Sequence, residues 1–122
     1  MGERLRVIEE NPDAVFVSIH LNKFTSSAAK GAQVFYSPNN PLALTLGQSV
    51  QNTVKTLLQP ENTRTVKKGT RATYLLHRAT IPAIIVECGF LSNKNELALL
   101  KNEEYQSKMA FAVLCGILNY GS

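Results

Sequence analysis

The spacing of apolar positions changes character several times along this chain, and each change predicts an element. Residues 3–11 set Leu5 and Ile8 three apart among charges, the mark of one helical face, and Asn11-Pro12 ends it. Residues 14–19 (AVFVSI) are a short run rich in β-branched and aromatic residues, which predicts a buried strand followed by His20-Leu21-Asn22. A polar loop over residues 23–31 leads to a second strand over 32–36, closed by the turn-forming Ser37-Pro38-Asn39-Asn40-Pro41. Leu46, Val50, Val54, Leu57 and Leu58 recur at helical spacing within residues 42–59, and Pro60 stops the pattern. Short strands are predicted over 73–76 and over 83–86 (AIIV), the latter followed by Glu87-Cys88-Gly89. Ser92 or Asn93 caps a helix running through Leu100. A last helix over Glu103–Asn119 carries Tyr105, Met109, Val113, Ile117 and Tyr120 on one stripe.

Near-continuous apolar strands separated by helices imply a sheet covered on both faces: an α/β fold with a mixed, largely parallel sheet flanked by helices. At 122 residues with 44% hydrophobic content the chain suits a single domain over 1–122, with no internal repeat or low-complexity tract. The formal charge of +4 favours anionic polymers without choosing among nucleic acid, membrane surface and acidic wall polymers. The densest basic stretch, residues 64–71, has one aromatic nearby, Tyr74, so a single-strand nucleic-acid platform is not indicated and a solvated loop is the plainer reading. Cys88 and Cys115 lack CxxC spacing and stand in apolar surroundings, which predicts buried free thiols. No apolar run approaches the roughly 20 residues of a membrane span, and the charged start is unlike a signal peptide.

Two polar residues directly follow buried strands, His20 after AVFVSI and Glu87 after AIIV. Sites in open α/β sheets gather outside the carboxyl ends of strands, so parallel neighbours would aim this imidazole and carboxylate at one crevice. Such a pair suits metal-assisted hydrolysis, with the histidine on the metal and the carboxylate moving protons. A histidine at a strand end also serves as a hydrogen-bonded structural residue, whereas a carboxylate abutting an apolar strand is seldom buried without a task. His77 is a weaker second metal-ligand candidate, since no spacing rule singles it out.

Residues 18–22 (SIHLN), 31–36 (GAQVFY) and 82–93 (PAIIVECGFLSN) resemble, in order and spacing, the amidase-3 family of N-acetylmuramoyl-L-alanine amidases. Glu96, Leu99-Leu100, Tyr105, Ala112 and Gly116-Ile117 are similar to the same pattern, so the resemblance spans the chain. It implies one zinc ion and hydrolysis of the amide joining N-acetylmuramic acid to L-alanine in peptidoglycan, outside the cytoplasm in cell wall or spore cortex. It assigns His20 to a metal-binding histidine and Glu87 to the catalytic glutamate, and it leaves Asn22 either orienting His20 or substrate, or serving a turn. The short stretch over residues 32–73, with its LLQPEN run, resembles the compact amidases of sporulation and germination.

Such relatives carry a Gly-His-Gly segment, a glutamate ligand and two opening strands, none of which precedes Met1. The expectation is a partial catalytic domain that binds zinc poorly, since the remaining ligands are absent, and hydrolyses little by itself. The edge of the AVFVSIH strand is expected to be left open to another chain, to exchanged segments, or to self-association. Two rivals remain at this point: a peptidoglycan-binding remnant without a complete metal site, and a small basic nucleic-acid-binding protein. At His77 relatives commonly have Lys or Arg.

Overall fold

Among the residues described by the computed structural model, 2–22, 27–70 and 73–120, four strands form one sheet: β1 (Phe16–Asn22), β2 (Gln33–Tyr36), β3 (Lys67–Lys68) and β4 (Ala83–Phe90). Their order is β1-β4-β2-β3, with β1 parallel to β4, β2 parallel to β3, and β2 antiparallel to β4. β4 is flanked on both sides, and its Ala83, Ile84 and Val86 are fully buried, as the near-continuous apolar AIIV requires.

Among the described residues five helices cover the two faces. On one face lie α2 (Pro41–Leu57), α4 (Lys94–Lys101) and α5 (Glu103–Asn119). Their Leu46, Val50, Val54, Leu100, Met109 and Val113 pack on Val34, Ile84, Val86 and Cys88 to make the larger core. Each such side chain contributes about 1.5–3 kcal/mol when fully buried. Helix α2 begins where Asn40 accepts a hydrogen bond from Leu42 N (2.9 Å) and Pro41 pre-sets the first turn. On the other face lie α1 (Gly2–Glu9) and α3 (Tyr74–Arg78). The smaller cluster there joins Leu5, Ile8, Leu75, Leu76 and Ala79 to Ala83, with Phe16, Phe35 and Ile85 partly covered. Among the described residues this cover reaches no further along β4 than Ile85, so no described helix lies over the carboxyl ends of β1 and β4 on that face.

The helical predictions over 3–11, 42–59, 93–100 and 103–119 and the strands over 32–36 and 83–86 are matched closely. Three expectations are corrected. The segment 73–76 is helical rather than a strand, because turning Leu75, Leu76 and Ala79 onto one side seats them against Leu5 and Ile8. β1 begins later than predicted and runs through His20 to Asn22, so His20 lies within the strand, and Glu87 likewise lies within β4. The basic stretch is not wholly loop, since Lys67 and Lys68 pair with Phe35 and Tyr36.

Candidate active site

Parallel pairing of β1 with β4 sets His20 opposite Glu87, so both side chains leave the same face from strands about 4.8 Å apart. That is the open face beyond Ile85. His20 is exposed, and its Nε2 lies 2.7 Å from Oγ of Ser18, two residues back on the same face of the strand. Glu87 is half-buried; loss of water pushes its carboxyl above the ordinary range, while the neighbouring His20 charge pulls it down. A carboxylate so placed accepts a proton more readily than an exposed one.

Just past this pair the register shifts, so that Asn22 pairs with Phe90 and β4 carries one residue more than β1. The extra residue falls at Cys88-Gly89, a bulge of the kind that re-aims side chains beside active sites. Glu96 fastens it: the Oε1 atom accepts from Phe90 N (3.1 Å) and Gly31 N (2.9 Å). A Cβ on Gly89 would stand 3.0 Å from that same oxygen, so a side chain here would crowd the carboxylate that fastens the bulge. Asn93, capping α4 through Asn95 N and Glu96 N, fixes the turn that carries Glu96.

Two further polar residues continue the row across the sheet, and neither was singled out by the sequence. Gln33 is the β2 partner of Glu87. Its Nε2 donates to Thr65 O (2.9 Å), and its Oε1 accepts from Arg64 Nη1 (2.9 Å). Arg64 also donates from Nε to Lys30 O (2.8 Å), and its guanidinium lies 4.9 Å from the centroid of the Phe90 ring. The usable signal for Gln33 is strand parity with Phe35; for Arg64 there is none, because its position depends on the path of a loop. Beside Arg64 opens a cavity of about 360 Å³.

His77 does not join this row. It is exposed in the last turn of α3, where its carbonyl accepts from Asn39 Nδ2 (2.7 Å), at the end of the sheet where β4 begins. Asn22 closes β1, and its side chain lies outside the described residues. Among the described residues no three His, Cys, Asp or Glu side chains converge as a metal site. With one imidazole and one carboxylate, the described donors do not by themselves satisfy zinc, which takes three protein ligands or more. No helix of the described residues is long and apolar enough to cross a membrane.

Comparison with known proteins shows the family. The Amidase_3 family profile, N-acetylmuramoyl-L-alanine amidase, matches residues 1–119. The germination-specific N-acetylmuramoyl-L-alanine amidase of Bacillus subtilis (strain 168) is 34% identical over 120 residues, covering 98% of this chain and 50% of that protein. The structure of the CwlD amidase from Clostridioides difficile, solved in complex with the GerS lipoprotein, superposes with a TM-score of 0.89 at 40% identity, covering 96% of this chain and 59% of that one. The amidase AmiC2 of Nostoc punctiforme superposes with a TM-score of 0.87 at 29% identity, covering 98% and 64%. This chain therefore spans about half to two thirds of the length of these relatives. On the profile match and the shared fold together, it belongs to the amidase-3 family of N-acetylmuramoyl-L-alanine amidases.

Proposed function

We propose that this chain is the part of a peptidoglycan hydrolase that supplies its proton-transfer group, and that the enzyme cuts the amide between N-acetylmuramic acid and L-alanine. The observation that carries the reading is the pairing of His20 with Glu87 on the open face at the carboxyl ends of β1 and β4. Glu87 takes a proton from the attacking water and returns it to the departing amine, a two-way task for which a half-buried carboxyl with a raised pKa is suited. Zinc is the metal the family implies, and when bound it would polarise the scissile carbonyl and acidify a water. Of the ligands it needs, the described residues offer His20, so the others must come from outside them. The germination-specific relative favours cell wall or spore cortex as the place of action.

The incomplete donor set favours a second reading, a wall-binding chain without hydrolysis. Zinc calorimetry combined with assay of muropeptide release separates the two. Stoichiometric zinc and release of free stem peptide by the intact protein are expected for the hydrolase. Glu87→Gln should then lower turnover by about 10²-fold or more while zinc stoichiometry is kept. Undiminished turnover in that variant would remove Glu87 from the role.

A further inference from the structure

We propose that the cavity between the segment over residues 28–31 and the helices of the larger core is a binding site for a free α-amino acid with an apolar side chain, its carboxylate on Arg64 and Tyr105 and its ammonium on Glu96. Neither His20 nor Glu87 lines this cavity, and the site stands apart from the hydrolase reading.

A single peptide group organises the polar wall. The Lys30 carbonyl accepts from Arg64 Nε (2.8 Å), and the Gly31 N–H of that same peptide donates to Glu96 Oε1 (2.9 Å). Guanidinium and carboxylate are thereby held at opposite ends of one rigid plane. Each keeps an atom in reserve. Nη1 of Arg64 donates to Gln33 Oε1, which leaves Nη2 with no partner among the described residues. Both bonds of the Glu96 side chain fall on Oε1, from Gly31 N and Phe90 N, which leaves Oε2 unpartnered on a residue only 9% exposed. No fully buried side-chain oxygen of the described residues lacks a partner, so Oε2 must reach open space, and the space that Glu96 lines is this cavity.

Tyr105 supplies a third group. Its hydroxyl accepts from Gln59 Nε2 (2.7 Å) and gives its own proton to no described acceptor. Burial above all pushes that hydroxyl up, the Gln59 bond opposes the rise, and the Glu96 charge adds to it, so the proton stays available for donation.

The two charges decide the ligand. Arg64 repels a lone cation and Glu96 a lone anion, whereas a molecule carrying both signs satisfies both. Among the described residues Arg64 and Glu96 form no ion pair with each other. The shared peptide nevertheless keeps Arg64 Nε within about 8 Å of Glu96 Oε1. An α-amino acid fits such a gap, since its ammonium and carboxylate are about 3 Å apart. A charge-assisted bond of about 2.8 Å at each end completes the span. The volume of about 360 Å³ takes one such molecule, and Leu58 and Leu99 give its side chain an apolar wall. Lys30 and Glu61, also in the lining, are exposed and of opposite sign, so they leave that balance unchanged.

The test is titration calorimetry of the intact protein with leucine, N-acetyl-leucine and leucinamide, each as the racemate because the lining does not select a hand. Leucine is expected to saturate the protein, and removing either charge should weaken binding about tenfold, the size of one charge-assisted pair. Glu96→Gln, which keeps Oε1 for the two backbone donors, should bring leucine down to the affinity of N-acetyl-leucine, and Glu87→Gln should leave leucine binding as it is. Absence of leucine binding, or equal affinity for the three ligands, overturns the site. So does binding that is lost in Glu87→Gln and kept in Glu96→Gln, which would place the ligand beside His20 instead. The comparison of three ligands on wild-type protein does not depend on how a variant folds. Muropeptide release without leucine binding removes this site and leaves the hydrolase reading intact.

Discussion

Cys88 and Glu87 are adjacent in β4 and alternate across the sheet, so burial acts on them in different settings. Glu87 faces the open side with His20, whereas Cys88 is packed into the larger core. Burial first, and the nearby Glu87 charge second, push the Cys88 thiol up to about 11. Its thiolate is therefore scarce at neutral pH, and alkylation of the folded chain at pH 8 should spare Cys88. A raised acid pKa means the folded state holds its proton more tightly than the unfolded one. The associated stability is whole below about 9.0, the thiol's ordinary value, and fades as pH rises toward about 11. Urea midpoints at pH 8 and pH 10.5 should fall further in wild type than in Cys88→Ala, by an amount on the order of 2 kcal/mol. Identical pH sensitivity in the two proteins would contradict this assignment. The sequence supported the burial of Cys88 because it lies in the otherwise largely apolar stretch over residues 83–90. It could not supply Gln33 or Arg64, since a glutamine in a strand and an arginine in a basic run acquire their places only when β2 meets β4 and the following loop returns over Phe90.

Elements here are joined by side chains that substitute for missing strand partners. β3 is only two residues long, so Val34 N and Ala32 O have no strand opposite them on that side. The amide of Gln51, 2% exposed and projecting from α2, accepts from Val34 N (2.8 Å) and donates to Ala32 O (3.1 Å). Gln51→Leu strands a buried donor, while Asn62 Nδ2 continues to serve Ala32 O, so a loss of about 1–3 kcal/mol in urea unfolding is expected. The contact of α2 with α5 is tighter still. A Cβ on Gly116 would stand 2.6 Å from Val50 Cα, a backbone atom that cannot swing aside. Gly116→Ala should therefore cost about 1–3 kcal/mol by overpacking, read as a lower thermal midpoint, and a neutral result would show that the helices can separate freely. Periodicity revealed α2 and α5 because each sustains its apolar stripe for 17 residues. It failed over residues 73–76, where four residues cannot distinguish a strand from the five-residue α3. It also placed β1 too early: apolar Val17, Ile19 and Leu21 alternate with polar Ser18, His20 and Asn22, and that alternation marks the strand through to its end.

At the scale of the molecule, the meeting of His20 and Glu87 was readable because parallel α/β strands direct their carboxyl ends to one side, a constraint that needs no side-chain detail. What that pattern leaves unspecified is how the chain treats its border. β1 pairs with β4 on one edge, and among the described residues its other edge has no strand beside it. The exposed apolar residues Ile19 (58%) and Leu21 (50%) border a hollow of about 190 Å³ that reaches Cys88, Leu100 and Met109. A seven-residue strand with a free ladder and an apolar flank is a template for a further strand, and β1 has neither lysine nor proline to discourage pairing. In solution the 122-residue chain is therefore expected to associate with rising concentration, which sedimentation velocity resolves as growth of a dimer or larger species. Ile19→Lys puts a charge on the apolar flank without touching His20 or Glu87, and should restore the monomer at the same concentration. Leu118→Lys is the control, because Leu118 is more exposed still, at 69%, but stands on α5 and does not line that hollow. If the lysine on α5 dissolves the association and the lysine on β1 does not, the helix surface rather than the strand edge holds the copies together.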